Sequence, residues 1–294
     1  MSGSVVGRAP AKLNVFLRVR GRREDGFHDI ETVLLPLDLH DVVTVEPAGP
    51  PEVVVRGERA QDLADAGGEL LVARAIQVFA ERIGPGAADV RVTIDKRIPV
   101  AAGLGGGSAD AAAVLRILAS THDVPIDDLL TIAEAVGSDV PALVHGGAVF
   151  AAGRGERVIP VHAPGTVWVA KPFGFGVRSG DAYDWWDRDG ATGPDPGALI
   201  AALETANLEV LGPALYDDLQ PGVARRHPEI EATIQAFHEA GALGVVMSGS
   251  GPTVVALARH HVHAEGLRGA VPGSLVVSGP PGPAAYDDGR SGVV

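Results

Sequence analysis

The sequence contains no cysteine, which excludes disulfides, thiolate nucleophiles and zinc–thiolate sites and leaves any chemistry to oxygen, nitrogen and main-chain groups. Lysine is nearly absent too: Lys12, Lys96 and Lys171 stand among 24 basic residues, so a lysine inside a motif is conspicuous. No stretch approaches the roughly 20 apolar residues of a membrane helix, and no basic segment followed by a hydrophobic run opens the N-terminus. A cytoplasmic protein with no membrane partner is therefore expected. The formal net charge of -13 argues against nucleic acid as a partner, because that binding neutralises phosphates with lysine and arginine. What remains is ordinary for a folded enzyme: 46% hydrophobic and 21% charged residues in 294. That length favours two domains, since single cores stop growing near ~250–300 residues.

Leu13, Val15, Leu17 and Val19 alternate with Lys12, Asn14, Arg18 and Arg20. This is the period of a strand, and it projects Lys12 and Asn14 from the face opposite the apolar residues. Further strands are expected at 31–37, 42–46, 52–56 and 90–94. A helix is expected over 69–83, where Leu71, Ala75, Val78 and Phe79 recur at helical spacing before Gly84-Pro85-Gly86 stops it. Helices over 127–136 and 228–240 follow from the same pattern. After about residue 162 the pattern restarts, with a strand at 167–170, a helix at 179–186 and strands at 244–247 and 254–257. A boundary near residues 162–165 divides the chain into 1–163 and 164–294. The Pro- and Gly-rich segment 279–288 reads as a loose end.

The sharpest local signal is Pro99-Val100-Ala101-Ala102-Gly103-Leu104-Gly105-Gly106-Gly107-Ser108-Ala109-Asp110, which follows a strand and opens an alanine-rich helix expected over 109–119. Glycines let main-chain N–H groups approach an anion closely, and a helix N-terminus adds unsatisfied donors and a positive dipole end. That is phosphate-cradle chemistry, and a side chain at Gly106 is expected to take the phosphate's place. The segment is neither a Walker A loop, since no Gly-Lys pair occurs in the chain, nor a G-x-G-x-x-G fingerprint. A plain turn with Ser108 as N-cap is the alternative. Four more positions admit a plain structural reading. Lys12 reads also as a solvated strand lysine, Lys96-Arg97 as a solvated strand end, Asp139 before Val140-Pro141 as a helix N-cap, and Gly249-Ser250-Gly251-Pro252 as a hairpin turn. His260, His261 and His263 lack carboxylate company at a convincing metal-ligand spacing.

Pro10-Ala11-Lys12-Leu13-Asn14, then Gly103 to Asp110, then Gly249-Ser250-Gly251-Pro252 resemble, in order and spacing, the three motifs of the GHMP kinases. The resemblance spans residues 8–258. Asp25-Gly26-Phe27-His28 and Gly137-Ser138-Asp139-Val140-Pro141 resemble the branch that phosphorylates a cytidine-diphosphate-linked polyol for isoprenoid precursor synthesis, rather than mevalonate-pathway or homoserine types.

The resemblance implies two α+β domains, an N-terminal one like ribosomal protein S5 domain 2 and a ferredoxin-like C-terminal one, with the site in the cleft between them. It implies that ATP is held by Lys96, Pro99, Gly103, Leu104, Gly105, Gly106, Gly107, Ser108, Ala109 and Gly249, with Mg²⁺ bridging its phosphates and touching Ser108. Lys12 and Asp139 become the catalytic pair. Asn14 becomes a ligand of the polyol or its phosphate. His28 reads the cytosine edge with Phe27 beside it and Tyr183 stacked on the ring, the way flat bases are usually held. Partners are then small molecules, and the chain works as a monomer or weak homodimer. A catalytically silent ligand-binding relative is the alternative. Three positions depart from the family pattern: Phe27 where Tyr is commoner, Leu70-Leu71 where Asn-Leu is usual, and Asp217-Asp218-Leu219 where Asn-Asp-Leu is usual.

Overall fold

The computed structural model describes residues 3–65 and 71–280. Its strands in chain order are β1 (Val5–Arg22), β2 (His28–Pro47), β3 (Glu52–Arg56), β4 (Val90–Asp95), β5 (Val149–Gly153), β6 (Arg157–Pro160), β7 (Thr166–Lys171), β8 (Tyr216–Asp217), β9 (Gly244–Met247), β10 (Val254–Ala258) and β11 (Leu275–Gly279). β1 and β2 outrun the expected segments, and 31–37 and 42–46 belong to one strand. The reason is local. Irregularities in the β1–β2 register fall between Pro10 and Lys12, between Asn14 and Phe16, and between Val19 and Gly21. Each such bulge resets the alternation and bends the strand, so a two-residue count sees only the stretch between them. Phe16 shows the effect: an apolar residue stands on the even positions with Lys12 and Asn14, and all three are buried.

The first sheet runs β3-β4-β2-β1-β8, with β5 paired to β2 and β6 to β5. The second runs β11-β7-β10-β9 and is antiparallel throughout. Numbered along the chain within that sheet, the order is 4-1-3-2, with the helix His261–Ala270 between its last two strands. This is the split βαβ pattern of ferredoxin-like domains. The chain passes from β6, ending at Pro160, to β7, beginning at Thr166. β8 then returns to the first sheet and lies parallel to β1, with Asp217 opposite Leu17.

Helices Leu71–Ile83, Gly106–Thr121 and Ile126–Val136 pack on the first sheet around Phe79, Ile94, Val114 and Leu118. Helix Leu71–Ile83 buries Val72, Ala75, Ile76 and Phe79. Its stripe therefore includes two of the four expected positions, Leu71 and Val78 being only partly buried. Helix Gly106–Thr121 buries Ala109, Ala111, Ala112 and Ala113 with little free face, as a helix packed on several sides must. The remaining expected helices are Ser179–Asp189 and Pro228–Glu239. The β5–β6 hairpin and the short helices Val140–His145, Gly197–Glu204 and Leu208–Ala214 have no counterpart among the expected elements, because elements this short carry too few periods to stand out. Gly279 is not loose: it ends β11, and its carbonyl accepts the Thr166 hydroxyl at 2.5 Å. Leu70 and the residues after 280 lie outside the described residues.

A second cluster, with Leu13, Leu35, Trp168, Leu203 and Leu257, draws on both sheets at once. β1 is therefore clamped by apolar packing along the strand that carries Lys12 and Asn14. Trp168 is fully buried in this shared core, and its indole N–H donates to Thr166 at 2.7 Å. Trp168→Ala should lower the unfolding free energy by ~3–5 kcal/mol, read as a shift of the urea midpoint followed by far-ultraviolet circular dichroism.

Candidate active site

The bulges on either side of Lys12 and Asn14 aim both side chains into the junction of the two sheets, where they are 5% and 3% exposed. Lys12 is thus not a solvated strand lysine. Its ammonium donates to Asn14 Oδ1 at 2.5 Å and to the Gly103 carbonyl at 2.9 Å, and stands 3.6 Å from Asp139 Oδ2. Asn14 in turn donates to the Thr32 hydroxyl at 2.8 Å, which donates to the Phe16 carbonyl at 2.7 Å. The main-chain N–H of Asn14 donates to Ser248 Oγ at 3.0 Å, and that hydroxyl donates to the Gly103 carbonyl at 3.2 Å. One carbonyl, at Gly103, so collects donors from the first motif and from the residue that precedes the third.

Asp139 occupies the N-cap position of helix Val140–His145, yet its side chain makes no capping hydrogen bond among the described residues. The carboxylate is turned toward Lys12 and is 40% exposed. The capping geometry and the pairing with Lys12 are therefore compatible, the backbone serving one and the side chain the other.

In the glycine segment the N-cap is Gly105, at φ 68°, and not Ser108. Glycine takes this left-handed conformation without the strain a side chain brings. The first helical bond, Ala109 N–H to Gly105 carbonyl at 2.8 Å, leaves the N–H groups of Gly106, Gly107 and Ser108 ahead of the ladder, as donors at the helix N-terminus. They border a cleft of about 230 Å³ lined also by Leu71, Lys96, Pro99 and Asp110. A Cβ at Gly106 would stand 2.9 Å from Lys96 Nζ and 3.1 Å from Ile98. A side chain at Gly106 would therefore also have to displace the buried Lys96 ammonium and Ile98.

Lys96 is no solvated strand end. It is 2% exposed and donates to Asp41 at 2.5 Å and to Asp110 at 2.7 Å. Asp41 also accepts the main-chain N–H groups of Arg97 at 2.5 Å and Ile98 at 2.9 Å, which pins the strand as it leaves for the glycine turn. Burial works against the ammonium, but the Asp110 and Asp41 carboxylates outweigh it and hold the Lys96 pKa above its usual value. The Asp110 carboxyl is pushed up to about 7 by burial, against the pull of Lys96 and with the repulsion of Asp41.

The third motif meets the other two at close range. Gly249 has φ 63°, and a Cβ there would lie 2.6 Å from Asn14 Oδ1. A Cβ on Gly103 would lie 2.6 Å from the Ser248 carbonyl. Gly249 to Pro252 is a turn, in keeping with its residue types, but one whose position depends on the absence of side chains at both contacts.

His28 and Tyr183 stack with ring centroids 4.6 Å apart at 18°, and Trp186 meets His28 edge-on at 5.9 Å. His28 Nε2 hydrogen-bonds Asp187 at 2.8 Å, and Asp187 also pairs with Arg22 at 3.3 Å. The stacking partner of Tyr183 here is thus His28. Phe27 is half exposed, with the Arg154 guanidinium 4.6 Å above its ring. The Tyr183 phenol is pushed up by burial and by the charges of Asp217 and Asp139, so this aromatic group lies near the Asp139 carboxylate.

Five participants were missed in the sequence. Ser248 adjoins a motif and was within reach. Thr32, Asp41 and Asp187 join the site only through pairing across the fold. Asp217, noted as a departure, is buried beside β1 with a carboxyl whose pKa is raised well above its ordinary value by burial.

Residues 70–147 match the family model described as GHMP kinases N terminal domain, and residues 199–276 match GHMP kinases C terminal. A protein of Mycobacterium bovis named 4-diphosphocytidyl-2-C-methyl-D-erythritol kinase is 39% identical over 86% of this chain and 81% of its own length. One of the same name from Anaeromyxobacter dehalogenans is 42% identical over 85% and 79%. The crystal structure of a 4-(cytidine 5'-diphospho)-2C-methyl-D-erythritol kinase superposes with a TM-score of 0.76 at 33% identity, covering 95% of this chain and 100% of that one. A homoserine kinase from Cytophaga hutchinsonii, at 18% identity and a TM-score of 0.69 over 95% of each chain, shares the fold.

The buried triad beneath the glycine turn generates a stability prediction. Lys96→Met leaves Asp41 and Asp110 without their cation and should cost ~3–5 kcal/mol, measured by urea unfolding at neutral pH.

Proposed function

The chain belongs to the GHMP kinases and is a small-molecule kinase, and we propose that it transfers the γ-phosphoryl group of ATP to the 2-hydroxyl of 4-diphosphocytidyl-2-C-methyl-D-erythritol, a step toward isoprenoid precursors. The observation that carries this reading is the convergence on Lys12. One ammonium touches the carbonyl of the glycine turn at 2.9 Å and lies 3.6 Å from a half-exposed carboxylate, so a phosphate site and a base share one cation.

In this reading the main-chain N–H groups of residues 106–108 receive the ATP phosphates. The acceptor hydroxyl lies against Asp139. Its oxygen attacks the γ-phosphorus, the bond from that phosphorus to the bridging oxygen of ADP breaks, and the hydroxyl proton passes to the Asp139 carboxylate. Phosphoryl transfer runs through a loose transition state, so orientation and charge matter more than early deprotonation. Lys12 steadies the carboxylate and the transferring group together. Asn14, held by Thr32 and by Lys12, faces the acceptor side. His28 and Tyr183 supply the ring surface and edge for the cytosine, with Phe27 outside them.

Ser108, on the wall of the cleft beside the phosphate turn, offers a hydroxyl suited to Mg²⁺, a hard ion that takes most of its ligands from phosphates and water. Among the described residues no group of three or more His, Asp or Glu side chains forms a metal cage. Its chemistry there is neutralisation of phosphate charge. The same reading assigns the phosphate turn to an N-terminal domain, 1–163, and Gly249 to a C-terminal one, 164–294, of a cytoplasmic enzyme whose -13 net charge suits small-molecule partners.

Asp139→Asn should lower kcat by about 10²–10⁴-fold while calorimetric ATP affinity stays within a few-fold of wild type. A fully active variant would remove the role given to Asp139. CDP should inhibit the wild-type enzyme in preference to UDP, and equal inhibition would count against the cytidylyl substrate.

A further inference from the structure

Asp217 is a buried carboxyl that the mechanism above does not use. It is 4% exposed and sits on β8, opposite Leu17 of β1. The Leu219 N–H donates to its Oδ1 at 2.8 Å, Oδ2 has no hydrogen-bond partner among the described residues, and the Gly249 N–H lies near enough to favour the charged form of the same carboxyl. A Cβ on Gly249 would lie 2.6 Å from Asn14 Oδ1 and 3.6 Å from Lys12 Nζ. Resting on the kinase reading, we infer that Asp217 is a positioning residue for phosphoryl transfer, which fixes the Gly249 turn against Asn14 and Lys12 from beneath.

The state in which it does so follows from its surroundings. Burial disfavours its charge and Asp218 beside it repels a second one, while the Leu219 and Gly249 N–H groups and Lys12 favour ionisation. Burial wins, and the pKa of the carboxyl is raised well above its ordinary value, toward the acid form. The other titratable groups facing it, Tyr183 from helix Ser179–Asp189 and Tyr216 on β8, are themselves pushed up in part by Asp217 and offer no positive charge. Were Asp217 to ionise, it would compete for Lys12, which reaches Asp139 only at 3.6 Å. Drawing the ammonium away would loosen the pair that carries transfer. The acid form therefore holds the turn without disturbing the cation.

Two variants test this. Asp217→Ala, checked for folding by circular dichroism, should lower kcat on the order of a hundredfold through misplacement of the turn, with the KM for ATP changed less than threefold. Asp217→Asn keeps the shape and cannot ionise, so it should recover most of that loss and move the alkaline limb of the kcat profile to higher pH. Wild-type kcat in Asp217→Ala, or coincident alkaline limbs in wild type and Asp217→Asn, would overturn the inference. Should Asp217→Ala not fold, the pH profile of Asp217→Asn decides alone.

A wild-type enzyme that does not phosphorylate the cytidylyl polyol would sink the proposed function instead, and a second readout then carries the test. A proton bound more tightly in the folded than in the unfolded chain stabilises fully below the unfolded pKa, and that contribution is lost as pH rises through the folded value. The urea midpoint of wild type should accordingly fall relative to Asp217→Asn from about pH 4 upward. A constant difference between the two across that range would overturn the inference without reference to activity.

Discussion

The Lys12 ammonium is the point on which the candidate site depends. It is buried, and a buried cation survives only when its donors are answered. Here the answers come from three directions: Asn14 on its own strand, the Gly103 carbonyl of the glycine turn, and Asp139 at the head of a short helix. Each partner belongs to a segment far from the others in the chain. The desolvation cost of one charge therefore ties together three segments that apolar packing alone would leave free to slide.

The second buried lysine works differently. Lys96 has both its carboxylates inside the first half of the chain and lies beneath the glycine turn, where a Cβ on Gly106 would touch it. Its partners hold the strand end and the first turn of helix Gly106–Thr121 in fixed relation, so the main-chain donors are aimed before any ligand arrives. Preorganised donors of this kind are what electrostatic stabilisation of a transferring phosphoryl group requires. The Asp110 oxygen left without a partner and the raised Asp110 pKa are the cost of placing two carboxyls on one cation.

Local pattern carried the reading where chemistry is written in neighbouring residues. The alternation around Lys12 and Asn14, the four glycines at 103–107 and the breaks at Gly84 and Gly249 were all legible, because a strand face, a left-handed turn and a helix end each need particular residues in sequence. Bulges were not, since they depend on the register of a partner strand. Neither were Asp41 and Asp187: an aspartate inside a strand and one in an exposed-looking helix carry no local mark of the lysine or histidine they will meet. Asp139 shows the limit from the other side. Its N-cap position was legible, but only the tertiary contact with Lys12 decides where the side chain points.

The scarcity of lysine gains a physical meaning from this. Apart from Lys171, the lysines and arginines outside the core are arginines, whose planar guanidinium pairs with carboxylates at the rim, as Arg22 does with Asp187 and Arg91 with Glu52. At positions 12 and 96 a planar fork would not serve, because the partners converge on a point: a carbonyl, an amide oxygen and a carboxylate in one case, two carboxylates in the other. A compact ammonium with rotatable donors meets convergent acceptors that a guanidinium would overreach. In a chain that otherwise uses arginine, each buried lysine marks a place where one small cation must satisfy several acceptors at once, and both places border the glycine turn.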